Sequence, residues 1–366
     1  MAKKKKVEFT MKLGSKQVKQ KHKLLKTKIN QIDMTKVRSI VDLVENYKGM
    51  SIQARNIGGC ADVLEKMLTD KERPTVLLGL AGPLIAGGLR TVIRDMIEHN
   101  LVDVIVSTGA ILYQDLYQAR GFNHFKGSPK TDDRKLRSLY IDRIYDTYVD
   151  EAKFWATDMW VGKFASTLSP RNYSSREFLW HLAGEIKDKN SILYTARKRN
   201  IPVFSPALND SSIGIGLTEH YHRCKLKNQP SVHIDSIRDN YELTQIVIKS
   251  KRTSAIYIAG GVPKNYINDS VVMSYVFNKD TGGHKYALQL TTDSPHWGGL
   301  SGSTLHEAMS WGKVSTEAST SMGFVEPTVS LPLLVGFALQ KRLGSKRKRI
   351  DYTWDNDILK KISYKE

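Results

Sequence analysis

The chain has 366 residues, of which 40% are hydrophobic, so it can bury one large core or two smaller ones and is not disordered throughout. Cys60 and Cys224 are the only cysteines, and no apolar run is long enough to span a bilayer, so we expect a cytoplasmic protein that contacts no membrane. The formal net charge of +19 lies mainly at the ends, because residues 1–30 carry +10 and residues 341–366 carry +5.

This charge distribution predicts a basic N-terminal arm over residues 1–30, a body over residues 31–340 and a basic C-terminal tail over residues 341–366. Four consecutive lysines lie near the start of the arm, and Lys346–Arg349 reads KRKR. Such clusters bind RNA or another anionic surface weakly, or they remain solvated. Because a basic surface repels cations, a site for a cationic substrate would need local carboxylates.

Two helices are predicted before the first strand. Asp33 or Thr35 is a suitable N-cap for a helix whose apolar residues recur with helical spacing between Val37 and Val44. A second helical pattern covers Ala61–Leu68.

A strand, a glycine-containing turn and a helix come next. Thr75–Leu80 is a run of β-branched and aliphatic residues typical of a buried strand, and the turn at residues 79–88 leads into a strongly periodic helix. This arrangement offers backbone N–H groups to a pyrophosphate, although it lacks the G-x-G-x-x-G fingerprint and also fits an ordinary tight turn. Leu101–Ser107 completes a βαβ unit, which favours a parallel sheet.

The rest of the body continues the alternation of strands and helices. Residues 122–135 are predicted to be a loop, and Ser174 with Glu177 has the spacing of a capping box. Further strands are predicted over Ile201–Pro206, Ala255–Ile258 and Tyr286–Thr291, and residues 330–339 (SLPLLVGFAL) are predicted to form a helix or a strand. We therefore predict an α/β fold with a Rossmann-like, mainly parallel sheet, helices on both faces and a single large domain.

One histidine and cysteine cluster has the donor atoms of a metal site. His220, His222 and Cys224 are closely spaced, but no distant second pair of ligands accompanies them. Local surface residues are therefore favoured over metal ligands, and no metal is expected.

The segment from Asp293 to Val314 carries the strongest chemical signal. Its small-residue loop runs into a short helix that holds Glu307 and Trp311 on one face, and a glycine then turns the chain so that Lys313 can return beside them. Burial against an indole disfavours a charged ammonium group and would supply a neutral amine that attacks an imine. On spacing alone, a surface lysine, a core tryptophan and a solvated Glu307 are the favoured interpretation of the segment.

Residues 307–314 (EAMSWGKV) resemble the active-site segment of deoxyhypusine synthases, in which the lysine forms an enzyme-imine intermediate. Four more blocks resemble the same family in the same order: residues 87–110, 201–210 (IPVFSPALND), 258–262 (IAGGV) and 330–335. Together they extend over most of the body. Archaeal and bacterial members are the most similar branch.

The resemblance implies NAD as the cofactor and a redox-neutral aminobutyl transfer from spermidine, through an imine on Lys313, to a lysine of translation initiation factor 5A. It also implies homotetramers with sites between paired subunits. The implied cofactor-binding residues are Gly82, Pro83, Leu84, Thr108, Gly109, Ala110, Asp210, Gly260, Gly261, Thr292, Asp293 and Glu326. The implied substrate-binding residues are Gln114, Asn265, Glu307 and Trp311.

The chain departs from the family pattern at four amine-binding positions. Gln114 stands for a glutamate, Ile215 and Leu300 each stand for an aspartate, and Asn265 stands for a histidine. Each missing carboxylate removes a charge-assisted contact, so other carboxylates such as Asp293 or Glu326 replace them or the substrate differs.

Three hypotheses follow from these features. The first is a deoxyhypusine synthase-like enzyme that modifies initiation factor 5A. The second keeps the chemistry but uses putrescine as the acceptor and makes homospermidine. The third is a non-catalytic basic scaffold or RNA-associated paralogue.

Overall fold

The computed structural model describes residues 13–365 and has an α/β architecture. Its strands are β1 (Thr75–Leu80), β2 (Val104–Ser107), β3 (Phe125–Lys126), β4 (Ile141–Ile144), β5 (Thr147–Asp150), β6 (Asn172–Tyr173), β7 (Val203–Phe204), β8 (His233–Ile234), β9 (Thr253–Ile258), β10 (His284–Leu290), β11 (Val314–Gly323), β12 (Arg349–Asp355) and β13 (Ile358–Lys365). Its α-helices are α1 (Ser15–Leu24), α2 (Ile40–Lys48), α3 (Ile52–Thr69), α4 (Arg90–Glu98), α5 (Gly109–Ala119), α6 (Asp133–Ser138), α7 (Glu151–Ala165), α8 (Ser175–Ala183), α9 (Ile192–Lys198), α10 (Ser212–Leu226), α11 (Ser236–Lys249), α12 (Val262–Val276), α13 (Leu305–Ser310) and α14 (Pro327–Gln340).

Six strands form one parallel sheet in the order β11-β10-β9-β1-β2-β7. Counted along the chain, this is the 3-2-1-4-5-6 order of dinucleotide-binding folds. The direction of winding reverses between β1 and β9, and this reversal opens a crevice at the carboxyl ends of those two strands. The Rossmann-like topology predicted from the sequence is therefore confirmed.

Helices cover both faces of the sheet, as predicted. Alternate residues of each buried strand point to opposite faces, so Leu78 packs into the core that contains α3, α4, α5 and α14. Its neighbour Leu77 packs into a second core that contains α11, α12, α13 and the β12–β13 hairpin. Burial on both faces explains why β1 and β9 are continuous apolar runs instead of alternating patterns.

Two predicted helix starts are wrong. Asp33 caps only the 3₁₀ turn Met34–Lys36, and α2 begins after Ser39, whose hydroxyl accepts a hydrogen bond from the Asp42 amide. Helix α3 begins at Ile52, earlier than predicted. A Cβ at position 58 would lie 2.7 Å from the Lys48 backbone nitrogen, so Gly58 allows α2 and α3 to approach closely.

Short and polar elements account for the other differences. Residues 122–135, predicted to be a loop, contain β3 and the start of α6, and β3 joins a small antiparallel sheet with β5 and β4. Strand β11 was not predicted, because this edge strand is polar and only partly buried. The segment 330–335 is helical and lies within α14.

The C-terminal segment packs on the body and is not a solvated tail. Strands β12 and β13 form an antiparallel hairpin that buries Tyr352 and Leu359 in the second core. Arg347, which precedes the hairpin, is buried and donates to Asp103 at 2.7 Å. The net positive charge of residues 341–366 predicted a tail, although the segment also contains these apolar and paired residues.

The N-terminal arm differs from this hairpin. Helix α1 has no buried residue, and the run of four lysines lies outside residues 13–365. Within the described range, no helix is long and apolar enough to cross a bilayer.

Candidate functional site

The predicted cofactor-binding residues follow the strands of the parallel sheet. Gly82, Pro83 and Leu84 follow β1; Thr108, Gly109 and Ala110 follow β2; Asp210 follows β7; Gly260 and Gly261 follow β9; Thr292 and Asp293 follow β10; and Glu326 follows β11. Because the strands are parallel, all of these residues lie along one edge of the sheet, beside the crevice between β1 and β9.

Helices α5 and α12 begin at this edge without a side-chain cap. Helix α5 starts directly after Thr108, and α12 starts after Gly261, which has a positive φ of 71°. Neither N-cap residue makes a side-chain hydrogen bond to the first turn. The uncapped amides and the positive helix ends are suited to an anionic group such as a pyrophosphate.

Glycines at this edge allow close approach of the chain. A Cβ at Gly109 would lie 2.3 Å from the Ser211 hydroxyl oxygen, and a Cβ at Gly260 would lie 2.4 Å from the Ser301 Cα. Gly82 has a φ of 87°, a conformation that side chains with a Cβ rarely adopt. We call the backbone amides at the starts of α5 and α12, together with the turn at Gly82, the cradle.

A loop formed by residues 293–303, which we call the edge loop, covers the end of β9. The Gln289 amide nitrogen donates to the carbonyl oxygens of Ala259 and Ser301, each at 2.8 Å. The Asp293 carboxylate accepts hydrogen bonds from the Ser301 hydroxyl and from the Ser294 amide. Gln289 thus fixes the edge loop to the sheet, and Asp293 closes the loop on itself.

Lys264 lies beneath the edge loop and was missed in the sequence. Its side chain is only 1% exposed, and its ammonium group donates to the Gln289 side-chain oxygen at 2.9 Å and the Ser303 hydroxyl at 3.0 Å. Burial lowers the pKa of Lys264 to about 8, against the opposing charges of Glu307 and Asp293. Its position in the first turn of a helix, directly after the Gly-Gly-Val-Pro turn, was the available signal.

Lys313 reaches the predicted position beside the indole. Helix α13 ends at Ser310 with Trp311 as its C-cap, and Gly312, with a φ of 68°, reverses the chain. The Tyr275 hydroxyl donates to the Gly312 carbonyl oxygen at 3.1 Å and holds this turn. The Lys313 Nζ atom consequently lies 5.5 Å from the centroid of the Trp311 ring.

The indole does not bury this amine, contrary to expectation. Trp311 caps a helix of six residues and is 67% exposed. The Lys313 Nζ atom instead lies 3.1 Å from the Asp269 carboxylate and donates to the Asn265 side-chain oxygen at 3.3 Å. We call Lys313, Asn265, Asp269 and Trp311 the Lys313 site.

The other predicted substrate-binding residues lie at different distances from this site. Glu307, on α13, is exposed, and its charge acts on the buried Lys264. Gln114 is on α5, which covers the opposite face of the sheet, and its side-chain oxygen accepts a hydrogen bond from the Ala86 amide at 3.0 Å. Within one chain, Gln114 and the Lys313 site therefore lie on elements that cover opposite faces of the sheet.

Gln114 belongs to a second concave region. With Asp210, Tyr113 and Ile215 it lines a cavity of about 390 Å³ at the ends of β2 and β7. Three strands, β2, β1 and β9, separate β7 from β10, so this cavity is roughly 20 Å from the β10 side of the sheet at the usual strand spacing. The predicted residues thus fall into two groups.

Two remaining predictions concern Glu326 and the histidine cluster. The Glu326 carboxylate caps its own helix, α14, by accepting from the Thr328 amide at 2.8 Å. His220 is buried and accepts from the Val232 amide at 3.3 Å, whereas His222 is exposed. Residues 13–365 contain no group of three histidine, cysteine or acidic side chains that could hold a metal.

Comparison with known proteins gives concordant results. The family model for deoxyhypusine synthase matches residues 42–338. A deoxyhypusine synthase-like protein from Chlorobaculum parvum is 46% identical over 331 residues, which cover 88% of this chain and 92% of that protein. A relative described as probable deoxyhypusine synthase 2, from Methanosarcina mazei, is 40% identical over 335 residues, which cover 90% of this chain and 95% of the relative.

A solved structure has the same fold. It is a protein from Entamoeba histolytica crystallised as a candidate deoxyhypusine synthase, with a TM-score of 0.60 and 20% sequence identity. The match covers 88% of this chain and 99% of that chain. The β12–β13 hairpin lies beyond the residues matched by the family model.

Proposed function

This chain belongs to the deoxyhypusine synthase family, and we propose that it is an NAD-dependent transferase. It moves the aminobutyl group of spermidine to a lysine of translation initiation factor 5A through an imine on Lys313. The observation that carries this proposal is the Lys313 site, where an amine, a carboxylate and an indole converge next to the dinucleotide-type edge of the sheet.

The residues at this edge fit NAD. The uncapped start of α5 and the turn at Gly82 would hold the pyrophosphate, and Asp210 and Glu326 would hold ribose hydroxyls. When bound, NAD supplies the means to remove a hydride from the carbon beside the secondary amine of spermidine and to return it after transfer.

Lys313 performs the covalent step. Its neutral amine attacks the imine carbon of the oxidised spermidine, a carbon–nitrogen bond forms, and diaminopropane leaves as the original carbon–nitrogen bond breaks. The acceptor amine then displaces Lys313 in the same way. Trp311 faces the cationic imine with its ring, an interaction worth about 0.5–2 kcal/mol, and Glu307 holds a substrate amino group.

In this proposal a second copy of the chain completes the site, and two such pairs form the homotetramer that the resemblance implies. Gln114 and Asp210 lie about four strands from the Lys313 side of the sheet, so a partner copy would bring one group against the other. Trp297, Leu300 and Trp311 are exposed around the edge loop, and clustered exposed apolar side chains favour burial against a partner.

A second acceptor is favoured by one feature of the site. Ile215 and Leu300, which are apolar at positions where the resemblance leads us to expect carboxylates, are both exposed. A site with fewer carboxylates favours a smaller or less charged set of amines, so putrescine is the alternative acceptor and homospermidine the alternative product.

Label transfer tests this function and separates the two acceptors. The protein is incubated with NAD and spermidine labelled in the aminobutyl group, with either initiation factor 5A or putrescine added. Label on the factor supports the first acceptor, and labelled homospermidine supports the second. The Lys313→Ala variant should lose both products while it retains NAD binding, whereas Lys361→Ala, on the exposed surface of β13, should retain activity. No labelled product with either acceptor contradicts the proposal.

The basic residues suggest where an anionic partner would bind. Lys71, Lys251, Arg342 and Lys346 line a groove of about 930 Å³ that includes the residues before β1 and β9, at the edge of the sheet opposite the crevice. We propose a cytoplasmic protein with weak RNA contact through this groove and the termini. Binding should weaken steeply with added salt, and salt-independent binding contradicts a phosphate contact.

A further inference from the structure

Asp269 completes a closed set of contacts around Lys313. It lies one helical turn after Asn265 on α12, and one carboxylate oxygen is 3.1 Å from the Lys313 Nζ atom. Its other oxygen accepts a hydrogen bond from the Asn265 side-chain nitrogen at 2.8 Å. Asn265 in turn accepts from Lys313 at 3.3 Å. Each of the three side chains therefore contacts the other two.

This arrangement differs from an ordinary surface ion pair. The Lys313 side chain is 16% exposed, whereas that of Asp269 is 40% exposed. The amine is thus held on the inner side, and part of the carboxylate faces solvent on the outer side. The Asn265 bridge restricts the carboxylate to one orientation, so little conformational freedom remains to be lost when a second cation binds.

Two of the other charged groups near this pair, Lys264 and Asp293, have separate partners. Lys264, on the same helix, is held by Gln289 and Ser303 beneath the edge loop. Asp293, in the edge loop, is held by Ser301 and the Ser294 amide. Glu307 faces this region from α13. Among these groups, Asp269 is the carboxylate in contact with Lys313.

We propose that Asp269 positions Lys313, exchanges protons with it and then binds the ammonium group of the polyamine substrate. This inference rests on the proposed function. It also identifies the carboxylate that replaces those missing at Gln114, Ile215 and Leu300. The recognised substrates are flexible amines that carry a primary ammonium group near the reacting carbon.

The step balances in atoms and charge. The Lys313 ammonium gives a proton to the Asp269 carboxylate, and the freed nitrogen electron pair forms a bond to the imine carbon of the oxidised substrate. A proton on the Lys313 nitrogen then moves to the leaving nitrogen, and the bond between that nitrogen and the former imine carbon breaks. The leaving amine takes the proton from Asp269, which restores the carboxylate. The hydride is supplied and recovered through NAD, as the proposed function requires.

Three variants test the assignment. Asp269→Asn keeps the size and the Asn265 contact but removes the charge, Asp269→Glu restores the charge, and Glu317→Gln removes an exposed carboxylate on β11 as a control. We expect Asp269→Asn to lower kcat/KM for spermidine by about 10- to 100-fold with a raised KM, because a charge-assisted contact is lost. Its rate should also become more dependent on alkaline pH, because solvent must accept the Lys313 proton. Asp269→Glu should recover part of the loss, and Glu317→Gln should match the wild type.

A trapping experiment separates failure of this inference from failure of the proposed function. Each protein is incubated with NAD, spermidine and cyanoborohydride, and the adduct on Lys313 is quantified by mass spectrometry, with thermal midpoints measured to verify folding. If the wild type forms an adduct and folded Asp269→Asn forms it equally fast with an unchanged KM and pH profile, only the role of Asp269 is overturned. If the wild type forms no adduct with spermidine or homospermidine, both proposals are overturned.

Discussion

Substitution of the buried Lys264 should change how the stability of the protein depends on pH. Burial lowers the pKa of this lysine from 10.5 to about 8, so the folded state holds a charged group that the unfolded chain solvates more favourably. The cost of this charge in the folded state near neutral pH is about 3 kcal/mol. The cost is fully present below pH 8 and disappears as the pH rises towards 10.5, because the unfolded chain then binds more protons than the folded one.

The Lys264→Met variant lacks this titration but has a side chain of similar length. Urea unfolding of both proteins, followed by tryptophan fluorescence between pH 7 and 9.5, gives the difference in their free energies of unfolding. We expect the wild type to gain about 2 kcal/mol relative to the variant over this range. The lost hydrogen bonds to Gln289 and Ser303 add an offset that does not depend on pH. A difference that stays constant with pH would refute the buried, easily deprotonated state of Lys264.

Three further substitutions test the fold and the cradle. Leu359→Ala, in the hairpin, should lower the free energy of unfolding by about 2–5 kcal/mol in urea titrations, because this side chain is fully buried; no loss would indicate that the hairpin detaches readily. Burial would raise the pKa of Asp103, but Arg347 and Arg73 outweigh burial and lower this pKa to about 2. In acid unfolding, the free energy of unfolding of the wild type should therefore fall by about 2 kcal/mol relative to Asp103→Asn between pH 5 and pH 2. Equal acid profiles would contradict this pairing. Gly109→Ala places a methyl group 2.3 Å from the Ser211 hydroxyl oxygen, so NAD affinity measured by calorimetry should fall by about tenfold or more; unchanged affinity would show that the cradle lies elsewhere.

The buried strands and the cofactor-type edge could be predicted because their residues are locally consistent. Thr75–Leu80 is a nearly continuous apolar run, which predicts a strand buried on both faces. In the structure every residue of this strand is buried, and it lies between β2 and β9 in the sheet. The position of Lys313 beside Trp311 followed from helical spacing and one glycine. In both cases the signal lies in residues that are close to one another in sequence.

The rest depends on contacts between distant residues. Asp269 is 44 residues from Lys313, and nothing in its own neighbourhood marks it as a partner for that lysine. Lys264 is buried only because the edge loop folds over it. The basic residues of the C-terminal segment predicted a solvated tail, because the sequence does not show that Arg347 pairs with Asp103. This aspartate lies 244 residues earlier in the chain. The position of Gln114 relative to Lys313 depends on which face of the sheet α5 covers, and the residues around Gln114 do not indicate that face.

The most direct test of the central claim is identification of the residue that forms the imine. The wild-type protein is incubated with NAD and spermidine, reduced with cyanoborohydride, digested and analysed by tandem mass spectrometry. We predict one aminobutyl group on Lys313 that depends on both NAD and spermidine. An adduct on another lysine, in particular the buried Lys264, or no adduct at all, would contradict the account.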